Sequence, residues 1–183
     1  EPQPRNEVGM VKLKHLDLSH NNIVKLPAFL EQLSNIRSLK VDYNRIEELP
    51  SFIRSYTRLG FLSCSNNRLQ FFCPEVGNML SLRTLFARGN QIVTLNDGFA
   101  KLSTLRSLEL SENQLRSIPE VILKLSELRT LKVNGNLIKK VQKSVVGLMG
   151  LHSLGVAANQ LTELPNELGE LAKLNELDAA DNK

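Results

Sequence analysis

The sequence predicts an α/β solenoid of stacked units, because one 23-residue pattern recurs along most of the chain. Counted from its first place, each copy reads L-x-x-L-x-L-x-x-N-x-L-x-x-L-P-x-x-L-x-x-L-x-x. The first place is held by Leu13, Ile36, Leu59, Leu82, Leu105, Leu128, Leu151 and Leu174. The fourth is always leucine: Leu16, Leu39, Leu62, Leu85, Leu108, Leu131, Leu154 and Leu177. The ninth is always asparagine: Asn21, Asn44, Asn67, Asn90, Asn113, Asn136, Asn159 and Asn182.

The first half of each copy predicts a short β-strand and the turn that follows it. In L-x-x-L-x-L the last two leucines alternate with other residues, which is the period of a strand with one buried face. An asparagine side chain can satisfy backbone groups where the chain turns out of that strand. We therefore expect the stacked asparagines to form a hydrogen-bonded ladder through the interior.

The second half of each copy predicts a short helix or a 3₁₀ segment. In the fifth copy Ile118, Ile122 and Leu125 are spaced four and three residues apart, and Pro119 stands near the start. The third, fourth and sixth copies have Cys73, Asn96 and Gln142 where other complete copies have proline. In the third and fourth copies we expect a less regular second half.

The two ends depart from the pattern. Residues 1–12 are interpreted as an N-terminal tail or a worn partial repeat, since Pro4 falls in the proline column but Glu7 stands where leucine belongs. Residues 13–183 form the solenoid, with seven complete copies and a truncated eighth. Because the apolar side chains of the eighth copy have no ninth copy to cover them, we expect a longer parent solenoid, or self-association through this terminal repeat.

These columns are the signature of the leucine-rich repeat family, which the sequence resembles over residues 13–183. The resemblance implies a curved, right-handed array with parallel strands on the concave face and short helical or 3₁₀ segments on the convex face. The L-P-x-x-L-x-x-L half resembles intracellular members, namely Ras-suppressor and Scribble-like scaffolds and the repeats of Roco-class kinases. Extracellular members typically carry cysteine-rich caps, and no such cysteine pattern occurs here.

Composition narrows the function further. The net charge of +4 and the pI near 9.2 come from interleaved acids and bases, which argues against a nucleic-acid partner. No apolar run is long enough to predict membrane insertion. Cys64 and Cys73 are the only cysteines, which fits a reducing, cytoplasmic setting. Cys64 holds a place that is apolar in other copies, so we interpret it as a small buried hydrophobe.

No motif predicts catalysis, a cofactor or a metal. The sequence has no glycine-rich phosphate loop and no zinc-finger spacing. His15 and Asp17 share a strand face with His20 just beyond, but such a group is more often a solvated strand edge than a metal site. An enzyme is therefore not expected.

Binding residues are expected at the outward third, fifth and seventh places and at the eighth place beside them. Most are small or polar, but the third and fourth copies carry Phe61, Phe86 and Arg88, with the phenylalanines roughly 8 Å apart. Aromatic residues beside an arginine are typical of interface hot spots. The alternative is that Arg88 stacks on Phe86 and makes the surface inert. The predicted partner-binding residues are Lys40, Asp42, Tyr43, Phe61, Phe86 and Arg88.

The second place carries a row of basic residues: Lys14, Arg37, Arg83, Arg106 and Arg129. This row favours an acidic partner, or it reflects arginine stems that cover neighbouring leucines while their heads stay in water.

The predicted function is a non-catalytic protein–protein interaction module that binds its partner on the concave face, in intracellular signalling or scaffolding. The alternative is a regulatory repeat region from a larger kinase, GTPase or phosphatase. A third hypothesis is that the protein is an extracellular recognition receptor.

Overall fold

Each copy contributes one strand to a single parallel sheet in the computed structural model, which describes residues 12–183. The sheet runs in chain order through β1 (His15–Asp17), β2 (Ser38–Lys40), β3 (Phe61–Ser63), β4 (Thr84–Phe86), β5 (Ser107–Glu109), β6 (Thr130–Lys132), β7 (Ser153–Gly155) and β8 (Glu176–Asp178). Equal places pair with equal places, as Leu62 does with Leu85. Residues 1–11 lie outside the described part of the chain. The interpretation of residues 1–12 as an N-terminal tail or a worn partial repeat therefore stays a prediction.

The second half of each complete copy forms a 3₁₀ helix on the opposite side from the sheet. These helices are η1 (Ala28–Gln32), η2 (Ser51–Ser55), η3 (Pro74–Asn78), η4 (Asp97–Lys101), η5 (Ile122–Lys124), η6 (Lys143–Gly147) and η7 (Asn166–Glu170). Strands on one face and 3₁₀ helices on the other confirm the predicted solenoid.

The leucine columns form one continuous core between the strands and the 3₁₀ helices. Leu85, Ala87 and Ile92 are fully buried, as the alternation in the fourth copy predicts. Cys64 is also fully buried, and burial raises the pKa of its thiol, which confirms its interpretation as a small hydrophobe. Since every copy adds the same apolar rows, each inner copy is covered on both sides by its neighbours.

The asparagines form the expected ladder. Asn90 donates from its amide nitrogen to the carbonyls of Cys64 and Ala87, both at 3.0 Å, and its Oδ1 accepts the N–H of Leu69 at 3.0 Å. The same contacts repeat at Asn44, Asn67, Asn113, Asn136, Asn159 and Asn182. Each of these side chains therefore ties its own turn to the copy before it.

The residue before each asparagine adopts the left-handed conformation in every copy, with φ between 50° and 65°. Only Gly89 and Gly135 meet this demand without a side chain. The other copies place His20, Tyr43, Asn66, Glu112, Ala158 and Asp181 there. An L-residue in this region costs roughly 1 kcal/mol, so these side chains are held at some expense in stability.

The expectation of irregular second halves in the third and fourth copies is wrong, since η3 and η4 each span five residues like most others. In the third copy Pro74 stands at the start of η3, and in the fourth and sixth copies a polar side chain takes the place of proline. Asn96 donates to the carbonyl of Phe72, and its Oδ1 accepts the N–H of Gly98 at 2.9 Å. Gln142 donates to the carbonyl of Ile118 at 2.7 Å. The shortened 3₁₀ helix is instead η5, in a copy that keeps its proline.

The last strand, β8, pairs with β7 along its length, while Leu177 is 44% exposed. The expected covering of this end, by further repeats or by self-association, stays a prediction. Among the described residues, no helix has the length and apolar character to cross a membrane.

Close packing of η3 on η4 depends on glycine, and this generates a testable prediction. A Cβ added to Gly77 would lie 2.5 Å from the carbonyl oxygen of Gly98. Both groups are backbone, so Gly77→Ala should force the two segments apart and lower the free energy of unfolding by about 2 kcal/mol. Gly169 holds the same place in the seventh copy and has nothing within 4 Å of an added Cβ. Gly169→Ala is therefore the matched control, and equal denaturation midpoints for both variants would contradict the packing argument.

Candidate functional site

Two phenylalanines meet on the outward face of neighbouring strands. Phe61 begins β3 and Phe86 ends β4, and their rings pack edge to face with centroids 5.6 Å apart and an interplanar angle of 81°. Both side chains are half-buried. They lie closer together than the roughly 8 Å expected from strand spacing, because the two rings lean toward each other across the strand boundary.

A shallow groove of about 340 Å³ opens beside this pair. Its lining residues define the aromatic groove: Asp42, Tyr43, Ser63, Ser65, Asn66, Phe86, Arg88 and Glu109. Four of the six predicted binding residues thus come together. Phe61 lies at the margin against Phe86, and Lys40 lies to one side, with its ammonium 3.9 Å from the carboxylate of Asp17.

Arg88 pairs with Glu112, which no sequence motif marks. The guanidinium donates to Glu112 Oε1 at 2.5 Å, and about half of each side chain is exposed. This hydrogen bond holds the pKa of the Glu112 carboxyl below its ordinary value. The sequence feature that could have indicated this pair is the place of Glu112 in its repeat. Glu112 holds the eighth place of the fifth copy, which directly follows the copy that contains Arg88.

Tyr43 forms the other wall of the groove. Its left-handed backbone presents a side chain that is 54% exposed and stacked on His20, with ring centroids 4.4 Å apart and nearly parallel planes. Asp17 accepts the N–H of Ser19 at 3.0 Å. His20 and Asp17, two of the three residues that could suggest a metal site, therefore have other partners. No group of three or more His, Cys, Asp or Glu within residues 12–183 is arranged to hold a metal ion.

Asp42 stabilises the floor of the groove. Its Oδ1 accepts the backbone N–H of Ser65 and the hydroxyl of Ser63, both at 2.6 Å. The N–H that it accepts belongs to the seventh place of the third copy. In later copies the seventh-place N–H donates to other side chains: Ser111 donates to Glu109 of its own copy, and Ala157 donates to Asn134 of the copy before it. Asp42 is thus committed to its own fold, and it shapes the groove by holding the turn of the third copy.

The seventh copy carries a glycine at its outward fifth place for a structural reason. Gly155 lies beneath Asn134, and a Cβ there would come within 2.7 Å of Asn134 Oδ1. Lys132 and Glu176, from the copies on either side, approach to 4.0 Å across this region. Within the described concave face, the aromatic side chains lie at the other end, in the second to fourth copies.

Comparisons with protein families identify the class. Residues 89–183 match the model described as "Leucine-rich repeat region", and residues 11–55 match the model for two copies of leucine-rich repeats. The first match covers just over half of the 183 residues. The chain belongs to the leucine-rich repeat family, whose domains are protein–protein interaction modules and generally non-enzymatic scaffolds.

Solved structures share the fold. An internalin of Listeria monocytogenes is 27% identical, with a TM-score of 0.79, over 94% of this chain and 56% of its own. A leucine-rich repeat protein of Leptospira interrogans is 26% identical, with a TM-score of 0.76, over 96% of this chain and 57% of its own. The plant peptide hormone receptor RGFR1, solved in complex with RGF2, is 25% identical, with a TM-score of 0.80, over 93% of this chain and 28% of its own.

The chain therefore spans little more than half the length of the two bacterial proteins and about a quarter of the plant receptor. A comparison with curated protein sequences finds no significant match.

The Arg88–Glu112 pair generates a prediction about acid titration. In Arg88→Ala the pKa of Glu112 should rise toward its ordinary value, because the hydrogen bond that lowers it is gone. The stabilisation from the pair is present above the ordinary glutamate pKa and is lost as the pH falls through the lowered one. Carboxyl-detected NMR titration of both proteins measures the change. Glu167, whose pKa is lowered by a hydrogen bond from Lys143, should titrate identically in both. An unchanged Glu112 titration would contradict the pairing.

Proposed function

We propose that this chain is a non-catalytic binding module that holds a segment of a protein partner on its concave face, in the aromatic groove with Phe61 at its margin. One observation carries the proposal: two partly exposed aromatic walls, Tyr43 and Phe86, stand beside the arginine Arg88 in one groove. Aromatic and arginine side chains dominate the binding energy of protein interfaces, and clustered exposed aromatics mark such sites.

The fold itself does not require these side chains. The register pairs Phe86 with Ser63 on one side and Glu109 on the other, so the same row of the sheet is built with polar residues. Gly89 and Gly135 satisfy the eighth place without a side chain. Tyr43 holds that place at a cost of roughly 1 kcal/mol. Five other copies also hold a side chain at this place, so the exposed tyrosine ring, and not the backbone cost, favours a role of Tyr43 in binding.

The chemistry of the groove describes the segment it would accept. An apolar or aromatic side chain fits between Tyr43 and Phe86, where apolar area is already exposed. A carboxylate on the segment would compete with Glu112 for the Arg88 guanidinium, since that pair is exposed and only weakly held. We therefore expect a partner segment that combines an apolar anchor with a neighbouring acid.

An intracellular signalling or scaffolding setting is part of the proposal. Cys64 and Cys73 are both free thiols, which a reducing compartment preserves. Burial raises the pKa of Cys73 to about 11, so this thiol is unreactive at neutral pH. The resemblance of the repeat style to Scribble-like scaffolds supports the same setting.

The second candidate is an extracellular recognition receptor. The observation that favours it is the 25% identity to a plant peptide hormone receptor over 93% of this chain. Locating the full-length protein in fractionated cells separates the two settings, and the groove would serve either one.

Loss of the phenylalanine pair should weaken binding of the partner. Phe61→Ala with Phe86→Ala removes the aromatic anchor and should weaken binding by roughly 2 kcal/mol or more, as hot-spot truncations do. Because the rings contact each other, the double variant should also lose about 1 kcal/mol of stability and remain folded. Affinity capture with the wild-type chain identifies the partner by mass spectrometry, and calorimetry with that purified protein measures the change.

The matched control is Phe29→Ala with Phe71→Ala, which removes two exposed phenylalanines from outside the concave face. This control should bind the partner as the wild type does. Equal affinity of the groove variant and the wild type would refute the proposal, as would an equal loss in both double variants.

Tyr43→Gly separates binding from stability. The glycine relieves the left-handed backbone while removing the stack on His20, so the free energy of unfolding should stay within about 1 kcal/mol of wild type. Partner affinity should nevertheless fall at least about fivefold. Asp181→Gly changes the same place in the eighth copy, remote from the groove, and should leave affinity intact. Undiminished affinity in Tyr43→Gly would remove this residue from the site.

A further inference from the structure

One edge of the concave sheet concentrates the positive charge of the chain. This edge is formed by the last place of each copy and the second place of the next, which flank the buried first leucine. From Lys12 to Asn175 these sixteen positions hold eight of the chain's 23 lysines and arginines but only one of its 19 acids, Glu127. The edge therefore carries a formal charge of +7, and since the whole chain carries +4, the remainder carries −3.

The backbone holds these cations at fixed spacing. The N–H of Arg106 donates to the carbonyl of Arg83 at 2.9 Å, and the N–H of Arg129 donates to the carbonyl of Arg106 at 2.8 Å. Arg37 is bonded in the same way to Lys14, at 2.7 Å. The backbones from which adjacent cations extend are thus about 4.8 Å apart, the spacing of neighbouring strands.

The arginines of this edge lack carboxylate partners within residues 12–183. The ion pairs of the described chain involve other cations, namely Lys40, Arg88, Lys132, Lys140 and Lys143. Arg37, Arg83, Arg106 and Arg129 are exposed, and Arg58 donates to the amide oxygen of Asn35 at 2.6 Å.

Like charges opposite each other on neighbouring strands destabilise a sheet. Covering leucines with arginine stems does not explain the row, because Gly60, His152 and Asn175 hold the same place in other copies. The fold therefore gains nothing from three adjacent guanidinium groups. At the first copies the row opens into a cavity of about 330 Å³ lined by Lys14, Arg37 and Arg58 among others.

We propose that this basic edge binds an extended acidic peptide segment of a partner protein, which crosses the strands from Lys14 to Arg129. Five strand intervals span roughly 24 Å, the length of about seven extended residues. Leu80 and Met149 border the edge with 57% and 70% of their surface exposed, so apolar residues among the acids would also find contacts.

Nucleic acid and anionic membrane fit less well. The sixteen positions include no Phe, Tyr or Trp on which bases would stack. The net negative charge of the remaining surface opposes a broad polyanion, whereas a narrow peptide contacts the edge alone. The edge shares no residue with the aromatic groove, so the proposal for one surface can be refuted while the proposal for the other holds.

Fluorescence anisotropy with a fluorescein-labelled decaglutamate peptide tests the proposal. The full chain is compared with Arg83→Gln/Arg106→Gln/Arg129→Gln and with Arg45→Gln/Arg68→Gln/Arg116→Gln. Both variants lose three exposed positive charges, but the second set lies beyond the asparagines on the other edge of the sheet. The first variant should bind about tenfold more weakly and the second less than twofold, with thermal stability retained in both.

Equal losses in the two variants would overturn the proposal, because the effect would then follow net charge alone. Tighter binding to a ten-nucleotide oligothymidine or to phosphatidylserine vesicles than to the peptide would also overturn it. So would the absence of peptide binding at about 50 mM salt, where screening is weak. The Phe61→Ala/Phe86→Ala variant should bind the peptide normally, which separates this surface from the aromatic groove.

Discussion

The amide of the ninth-place asparagine is the contact on which the rest of the solenoid depends. A strand of three residues has few hydrogen bonds of its own, and the turn that follows leaves backbone groups inside the molecule. Each inner asparagine donates to carbonyls of two copies and accepts an N–H from the earlier one, so these groups are satisfied without water. Because every copy uses the same contact at the same place, the register between strands has no freedom to shift.

The fixed register between strands aligns the outward side chains of all copies into one regular surface. Once Leu85 aligns with Leu62 and Leu108, the outward places form straight rows about 4.8 Å apart from strand to strand. The edge-to-face contact of Phe61 with Phe86 and the adjacent arginines of the basic edge both follow from this alignment. The left-handed eighth place adds a further row, from which Tyr43 and Asn66 line the groove and Glu112 reaches Arg88. Two candidate binding surfaces thus arise from one structural rule, and individual side chains distinguish them.

The sequence was sufficient for the fold because the fold is set by columns that can be read directly. Leucine spacing predicted the buried rows, and the asparagine column predicted the ladder. The groove was predicted in part: Tyr43, Phe86 and Arg88 come together as the alternation implied. What the sequence did not show were contacts between copies that depend on side-chain direction. Arg88 turns to Glu112, 24 residues away, instead of to Phe86. Asp42 was predicted for a partner and also serves the backbone of its neighbour. The repeat pattern likewise does not show that Asn96 and Gln142, which stand in the proline column, donate hydrogen bonds to backbone carbonyls of the preceding copy.

Native-state hydrogen exchange of the amides bound to the ladder tests the account most directly. The N–H groups of Leu69, Ile92, Leu115 and Ile138 each donate to the side chain of an asparagine one copy further on. If that contact joins the copies into one cooperative unit, all four should exchange with the same free energy, equal to that of global unfolding. Exchange of these amides through separate openings of lower free energy, while the strand amides stay protected, would contradict the central role of the asparagine ladder.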